Sequence, residues 1–228
     1  MTTTFGYISP EQQMLDRAEF ARKGIARGRS VCVLKTGPGI VFVAENHSST
    51  LHKVSEIYDR IGFAAVGRYH EFESLRIAGI RHADMRGYSY DRADVTGRSL
   101  AGAYSQLLGG AFASSVDKPF EVELIVGELG DDVGSDVLYR ISYDGVITDE
   151  RSFSVVGGDA ERTAKAIGEG YAPDISLAAA VRLAAASLTP DGALQAHQLE
   201  VALLDRAARN RRTFVRLDAA RVGELLDA

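Results

Sequence analysis

Few side chains in this sequence stand at the spacings that chemistry requires. Loss of Met1 would expose Thr2, and an N-terminal threonine can serve as a nucleophile with its own amine as base. Such a nucleophile has to lead a rigid strand with a lysine and an acid nearby. Thr2 instead begins the octapeptide MTTTFGYI, which has no charge and no helical period and reads as a mobile arm. The first strand is expected near Ser30, behind a whole helix. A hydroxyl at that internal position has no free amine to activate it.

Other signatures are missing. His47, His52, His70, His82 and His197 show no HxxH or HxxxH spacing, which argues against a metal centre. There is no P-loop and no GxGxxG, so no nucleotide cofactor is expected. Gly109-Gly110 and Gly157-Gly158 read as packing or turn glycines. Cys32 lies among apolar, strand-like neighbours and reads as a buried, inert thiol. A lone cysteine forms no intramolecular disulfide, which suits a reducing cytoplasm. Arg206, Arg209, Arg211 and Arg212 lack interleaved aromatics and read as a solvated hairpin turn rather than an anion site. Lys53, taken alone, reads as an exposed lysine at a strand end.

The elements that must position these residues follow from periodicity. Ser9 and Pro10 open a helix as N-cap and first residue, with Glu11 at the positive end of the dipole and Gln12 completing a capping box. Met14, Leu15, Ala18, Ala21 and Ile25 give it one apolar face, and Gly28 is the expected stop. Because no partner for that face is evident in the rest of the chain, it is expected to meet a second copy. Strands are expected at Val31–Lys35, Ile40–Glu45, Leu51–Ile57 and Ile61–Gly67. Two helices follow, Tyr69–Met85 and one capped by Thr96, with a loop over Arg86–Arg92 between them. The second carries Leu100, Tyr104, Leu107 and Ala111.

Three more strands follow at Phe120–Leu129, Val137–Tyr143 and Ser152–Val156, with Asp144-Gly145 as a hairpin turn. Helices over 158–171 and 174–188, the second capped by Asp174, precede strands at Gln198–Leu204 and Thr213–Leu217 and a last helix at Ala219–Leu226. Strand groups separated by helix pairs are not the strict alternation of a doubly wound fold. They predict two antiparallel sheets face to face with helix pairs outside, an α+β, four-layer α-β-β-α sandwich. The apolar run IGFAAVG fits a strand buried on both faces. One sandwich domain over residues 9–228 is expected, with residues 1–8 as the arm.

Composition bounds the partners. The 228 residues carry 26 basic and 31 acidic side chains, a net charge of −5, so no global basic field favours nucleic acid or an anionic membrane. The uncharged stretch Ser99–Val116 is rich in Ser, Gly and Gln, a poor membrane span. No basic n-region precedes an apolar core at the start, so no secretory signal is expected.

Several blocks in order, ISPEQQMLDRAEFARKGIARGRSV, VFVAENHSSTLHKVSEIYDRIGFAAVG, KPFEVELIVGELG and YDGVITDERSFSVVGG, resemble the α-subunit of the actinobacterial proteasome core. The resemblance covers about residues 5 to 217. It implies the N-terminal-nucleophile hydrolase fold with an extra N-terminal helix and no catalytic residue. It further implies a seven-membered ring of this chain that caps β-subunits and gates substrate. Active β-subunits carry an acid beside a basic residue after the second strand, where this chain has Glu45-Asn46-His47. By the same resemblance Lys53 is the lysine that receives the C-terminal carboxylate of a regulator's tail, from a regulatory ATPase or another activator, and Gly28 and Gly67 line that pocket with backbone. Arg68 follows, where archaeal relatives carry an apolar residue. The gate would comprise Phe5, Gly6, Tyr7, Ile8, Ser9 and Pro10. Archaeal α-subunits open with Tyr-Asp-Arg instead, and only Pro10, and Phe20 in place of a tyrosine, resemble their gate cluster.

Two other functions compete with the non-catalytic ring subunit. An active threonine hydrolase of the same fold is disfavoured by the internal start of the first strand. A small-molecule enzyme of unrelated α/β type is disfavoured by the missing cofactor loops.

Overall fold

The computed structural model describes residues 9–190, 192 and 194–228. Phe5, Gly6, Tyr7 and Ile8 of the expected gate, and Thr2, lie outside the described residues. Helix α1 spans Pro10–Ile25. Ser9 caps it, its hydroxyl accepting the Gln12 N–H at 3.1 Å. Only half of the expected capping box forms, because the Gln12 amide donates to Asp16 at 2.7 Å instead. The helix also ends earlier than expected. Ala26 caps it through its N–H to Arg22 O, two residues before Gly28, whose N–H donates to Ile25 O.

Strands β1 (Val31–Thr36), β2 (Gly39–Glu45), β8 (Phe153–Val156), β9 (Leu199–Asp205) and β10 (Phe214–Leu217) form one sheet, in the order β10-β9-β2-β1-β8. Strands β3 (Val54–Tyr58), β4 (Ile61–Gly67), β5 (Val122–Glu128), β6 (Val137–Ile141) and β7 (Ile147–Glu150) form the other, in that order. Every pairing is antiparallel. Helices α2 (Tyr69–Ser89) and α3 (Gly97–Ala113) cover the second sheet; α4 (Ala160–Gly170), α5 (Leu177–Leu188) and α6 (Ala219–Asp227) cover the first.

The alternation of side chains along the strands sorts them into three cores. Val33, Ile40 and Phe42 meet Ala64, Val66 and Ile125 between the sheets. Cys32, Leu34, Val41 and Val43 point the other way, into α4–α6. Phe63, Ala65 and Leu124 point out under α2 and α3. The sheets are held close at one point by glycine. Gly62 and Gly127 are paired across β4 and β5, and a Cβ on them would lie 2.5 and 3.1 Å from Phe42 Cζ. Phe42 fills that space completely buried, worth about 1.5–3 kcal/mol of apolar transfer. The result is the four-layer α-β-β-α sandwich of the N-terminal-nucleophile hydrolase fold, with α1 added.

Several sequence expectations fail for physical reasons. The Ala18, Ala21 and Ile25 face of α1 is not unpartnered: it packs on Tyr143 and Phe112 of the same chain. Only Met14 and Leu15 of the expected face stay exposed. Helix α2 runs through Arg86-Gly87-Tyr88-Ser89, where a loop was expected. In α3 the buried residue is Leu108, with Leu107 exposed. The cap of α5 is Ser176, whose hydroxyl accepts the Ala179 N–H at 3.2 Å, rather than Asp174. Arg206 is not solvated: it pairs at 2.7 Å with the wholly buried carboxylate of Asp136. No described helix is long and apolar enough to cross a membrane.

Candidate functional site

Lys53 immediately precedes β3, and its main chain is fixed from both sides. Its carbonyl accepts the Ala65 N–H of β4 at 3.0 Å. Its own N–H donates to Glu200 Oε2 at 2.9 Å, and the next N–H, of Val54, to Glu200 Oε1 at 3.2 Å. Glu200 is a buried acid in β9. It also accepts the Asn46 amide at 2.7 Å and pairs with Arg216 of β10. His52 Nδ1 lies 3.3 Å from Glu200 Oε1, off the line of a hydrogen bond. One carboxylate thus ties β9, β10, the 46–52 connection and the start of β3 together. Each of its lone-pair directions has a partner, as a buried charge requires.

The Lys53 side chain turns away from that carboxylate. Its ammonium donates to Arg29 O at 2.8 Å and to Glu45 O at 3.0 Å. Both acceptors are neutral carbonyls. The Glu45 carboxylate is engaged instead by Arg29 Nε at 3.2 Å and His47 Nε2 at 3.0 Å. Burial lowers the Lys53 pKa to about 8; the charges of Glu45 and Glu200 oppose the shift and that of Arg29 adds to it. An ammonium has three donors, so one remains for an incoming acceptor.

Gly28 and Gly67 stand beside this lysine. Arg29, whose carbonyl holds Lys53, follows Gly28 directly. A Cβ on Gly28 would lie 2.3 Å from Val66 Cγ1 and 3.3 Å from Gly67 N. Gly67 has φ +128°, and a Cβ there would sit 1.9 Å from Glu121 O. Both positions therefore admit only glycine without local displacement. The structure brings Lys53, Gly28 and Gly67 to one end of the sheets. It does not bring Ser9 and Pro10 there: the sixteen residues of α1 put them ~24 Å away along the helix.

Ser30, at the head of β1, is buried and peptide-bonded behind α1, and its hydroxyl accepts the Asp159 N–H at 3.4 Å. Beside it, Glu45 and His47 are paired with each other rather than aimed at a hydroxyl. Ser30 is internal to the chain and so has no free α-amine of its own to activate its hydroxyl. Among the described residues, no group of three His, Cys, Asp or Glu could hold a metal. A cleft lies at the far ends of β3 and β4. Three of its arginines are already paired: Arg92 with Asp59, Arg60 with Asp131 and Arg206 with Asp136.

Sequence reasoning did not find Glu200, Asn46 or Arg29. Glu200 had a signal, an acid flanked on both sides by apolar residues in the strand LEVALLD, which demands buried partners.

Two face-to-face antiparallel sheets between helical layers, with an extra helix occupying the approach to the first strand, define a sandwich of the N-terminal-nucleophile hydrolase class. A family model described as "Proteasome subunit" matches residues 25–191, and the chain belongs to the proteasome subunit family. It is 60% identical over 224 residues to a "Proteasome subunit alpha" of Nocardioides sp., covering 96% of this chain and 88% of that one. It is 54% identical to one of Parafrankia sp., covering 100% and 97%. A third, of Acidothermus cellulolyticus, is 53% identical over 99% of this chain and 98% of its own. The chain is thus of the actinobacterial α-subunit type.

Proposed function

We propose that this chain is the non-catalytic α-subunit of a bacterial proteasome core in the cytoplasm. Seven copies form an outer ring on the β-subunits, which carry out the cleavage. Residues 9–228 act as one sandwich domain, and residues 1–8 as an arm that, with Ser9 and Pro10, obstructs the axial pore. The pocket of Lys53, Gly28 and Gly67 receives the C-terminal carboxylate of a regulatory ATPase's tail.

One observation carries this reading. The Lys53 ammonium is half-buried, held by two carbonyls, and makes no direct ion pair among the described residues. A partly desolvated cation with a free donor gains most from an anion brought to it. The internal, amide-linked Ser30 supports the non-catalytic assignment.

The test is the reconstituted α/β particle with its ATPase. Lys53→Ala should abolish stimulated degradation of folded substrates while leaving assembly intact. Several tails docking on one ring multiply a single lost contact through effective concentration. Full stimulation in the variant would overturn the assignment. The isolated chain should neither cleave a fluorogenic peptide nor react with a threonine-directed inhibitor; either result would return the active-hydrolase reading.

A further inference from the structure

Four ion pairs on one side of the Lys53 pocket are oriented the same way, whereas at Arg162–Asp159, beside Gly28 and Ser30, the acid is the more exposed partner. At Arg29–Glu45 the guanidinium side chain is 52% exposed and the carboxylate side chain 17%. At Arg68–Glu121, joined at 2.5 Å, the values are 47% and 3%. Lys118 is 47% exposed above Glu121 at 2.8 Å and above Glu71, whose side chain is 9% exposed. In each of these four pairs the acid lies beneath and the cation faces solvent. Lys118 is further seated over the Phe20 ring, 5.6 Å from its centroid. Arg27, next to Gly28, is exposed and has no partner among the described residues.

These groups are contiguous. Lys53 holds the Arg29 carbonyl; a Cβ on Gly28 would lie 3.3 Å from Gly67 N; Arg68 N donates to Glu121 O at 3.1 Å. A segment leaving the Lys53 ammonium therefore crosses a rim whose outward charge is positive, on a chain whose net charge is −5. Because the compensating carboxylates are buried, an approaching peptide is screened from them by the cations themselves. Low-dielectric walls focus such a field toward the cleft.

Building on the docking reading above, we propose that the rim formed by Arg27, Arg29, Arg68 and Lys118 selects C-terminal segments with acidic residues just upstream of the terminal carboxylate. Lys53 would supply affinity for any free C-terminus; the rim would distinguish acidic from basic tails.

The test uses the assembled particle and two fluorescent octapeptides with the same C-terminal residue and a free carboxylate. They differ only in carrying Glu or Lys at the three positions before the last. At about 50 mM salt the Glu peptide should bind about tenfold more tightly, from several exposed pairs acting together. The ratio should fall toward one at about 500 mM salt. Arg27→Glu, at an exposed and unpartnered site that folding does not need, should reduce the ratio severalfold; Arg68→Gln should do the same. Equal binding of the two peptides, or a ratio that neither salt nor Arg27→Glu alters, overturns the proposal. A C-terminally amidated Glu peptide separates the two claims. Loss of binding on amidation with no Glu preference defeats the rim alone, whereas undiminished binding of the amide defeats the docking reading and the rim with it.

Discussion

Glu200 and Lys53 lie 147 residues apart, and the carboxylate of the first accepts the main-chain N–H of the second at 2.9 Å. The two charges are not an ion pair. Glu200 spends itself on Lys53 N, Val54 N, Asn46 and Arg216, so the Lys53 side chain is left to reach the carbonyls of Arg29 and Glu45. A cation is thus built into the fold by its backbone, its ammonium held by two neutral carbonyls.

Glu200→Gln should be destabilising. It leaves Arg216 without its charge partner and exchanges two acceptor oxygens for one. Breaking a buried pair from one side costs on the order of 3 kcal/mol. Denaturant unfolding of the purified chain measures this, and a loss below about 0.5 kcal/mol would show that Glu200 does not hold the start of β3. Asn46→Ala, which removes one neutral donor, should cost about 1 kcal/mol.

Docking should depend on pH because of the lowered Lys53 pKa. Burial depresses it from 10.5 to about 8, so the ammonium that a carboxylate needs is lost as pH rises through 8. Tail affinity should be about tenfold weaker at pH 9 than at pH 7. An ordinary exposed lysine would give no change over that range. The linkage to folding has the opposite sign. The unfolded chain binds the extra proton between about pH 8 and 10.5, so this group's contribution to stability rises with pH in that window.

Deleting residues 2–8 should speed peptide hydrolysis by the assembled α/β particle. Phe5, Tyr7 and Ile8 supply apolar area that an open pore would leave in water. Equal rates for full-length and truncated particles would show that the arm is not the barrier.

Much of the fold was legible because core strands announce themselves. Strand β4 is Ile61–Gly67, the residues of the apolar run, and the hairpin of β1 and β2 follows its turn. Strand β7 was missed: its ITDE is polar, at the sheet edge and mostly solvent-facing, so neither alternation nor apolarity marks it. The α1 face was misjudged because Phe112 and Tyr143, which cover it, are about 90 residues or more distant in sequence. The site divides in the same way. Local patterns give Lys53 as one more surface lysine, and only the resemblance singled it out. Its setting depends on contacts from β9 and from the Gly28-Arg29 turn, which no local window contains.

The most direct test is the affinity of the regulatory ATPase's tail for particles carrying wild-type, Lys53→Ala and Lys53→Arg subunits, measured at pH 7. A charge-assisted hydrogen bond is worth about 1.5–3 kcal/mol, so Lys53→Ala should weaken a single tail by about tenfold or more. Lys53→Arg should restore part of it at best, because a planar fork does not reproduce an ammonium held by two carbonyls. Wild-type affinity in the Lys53→Ala particle would contradict the account.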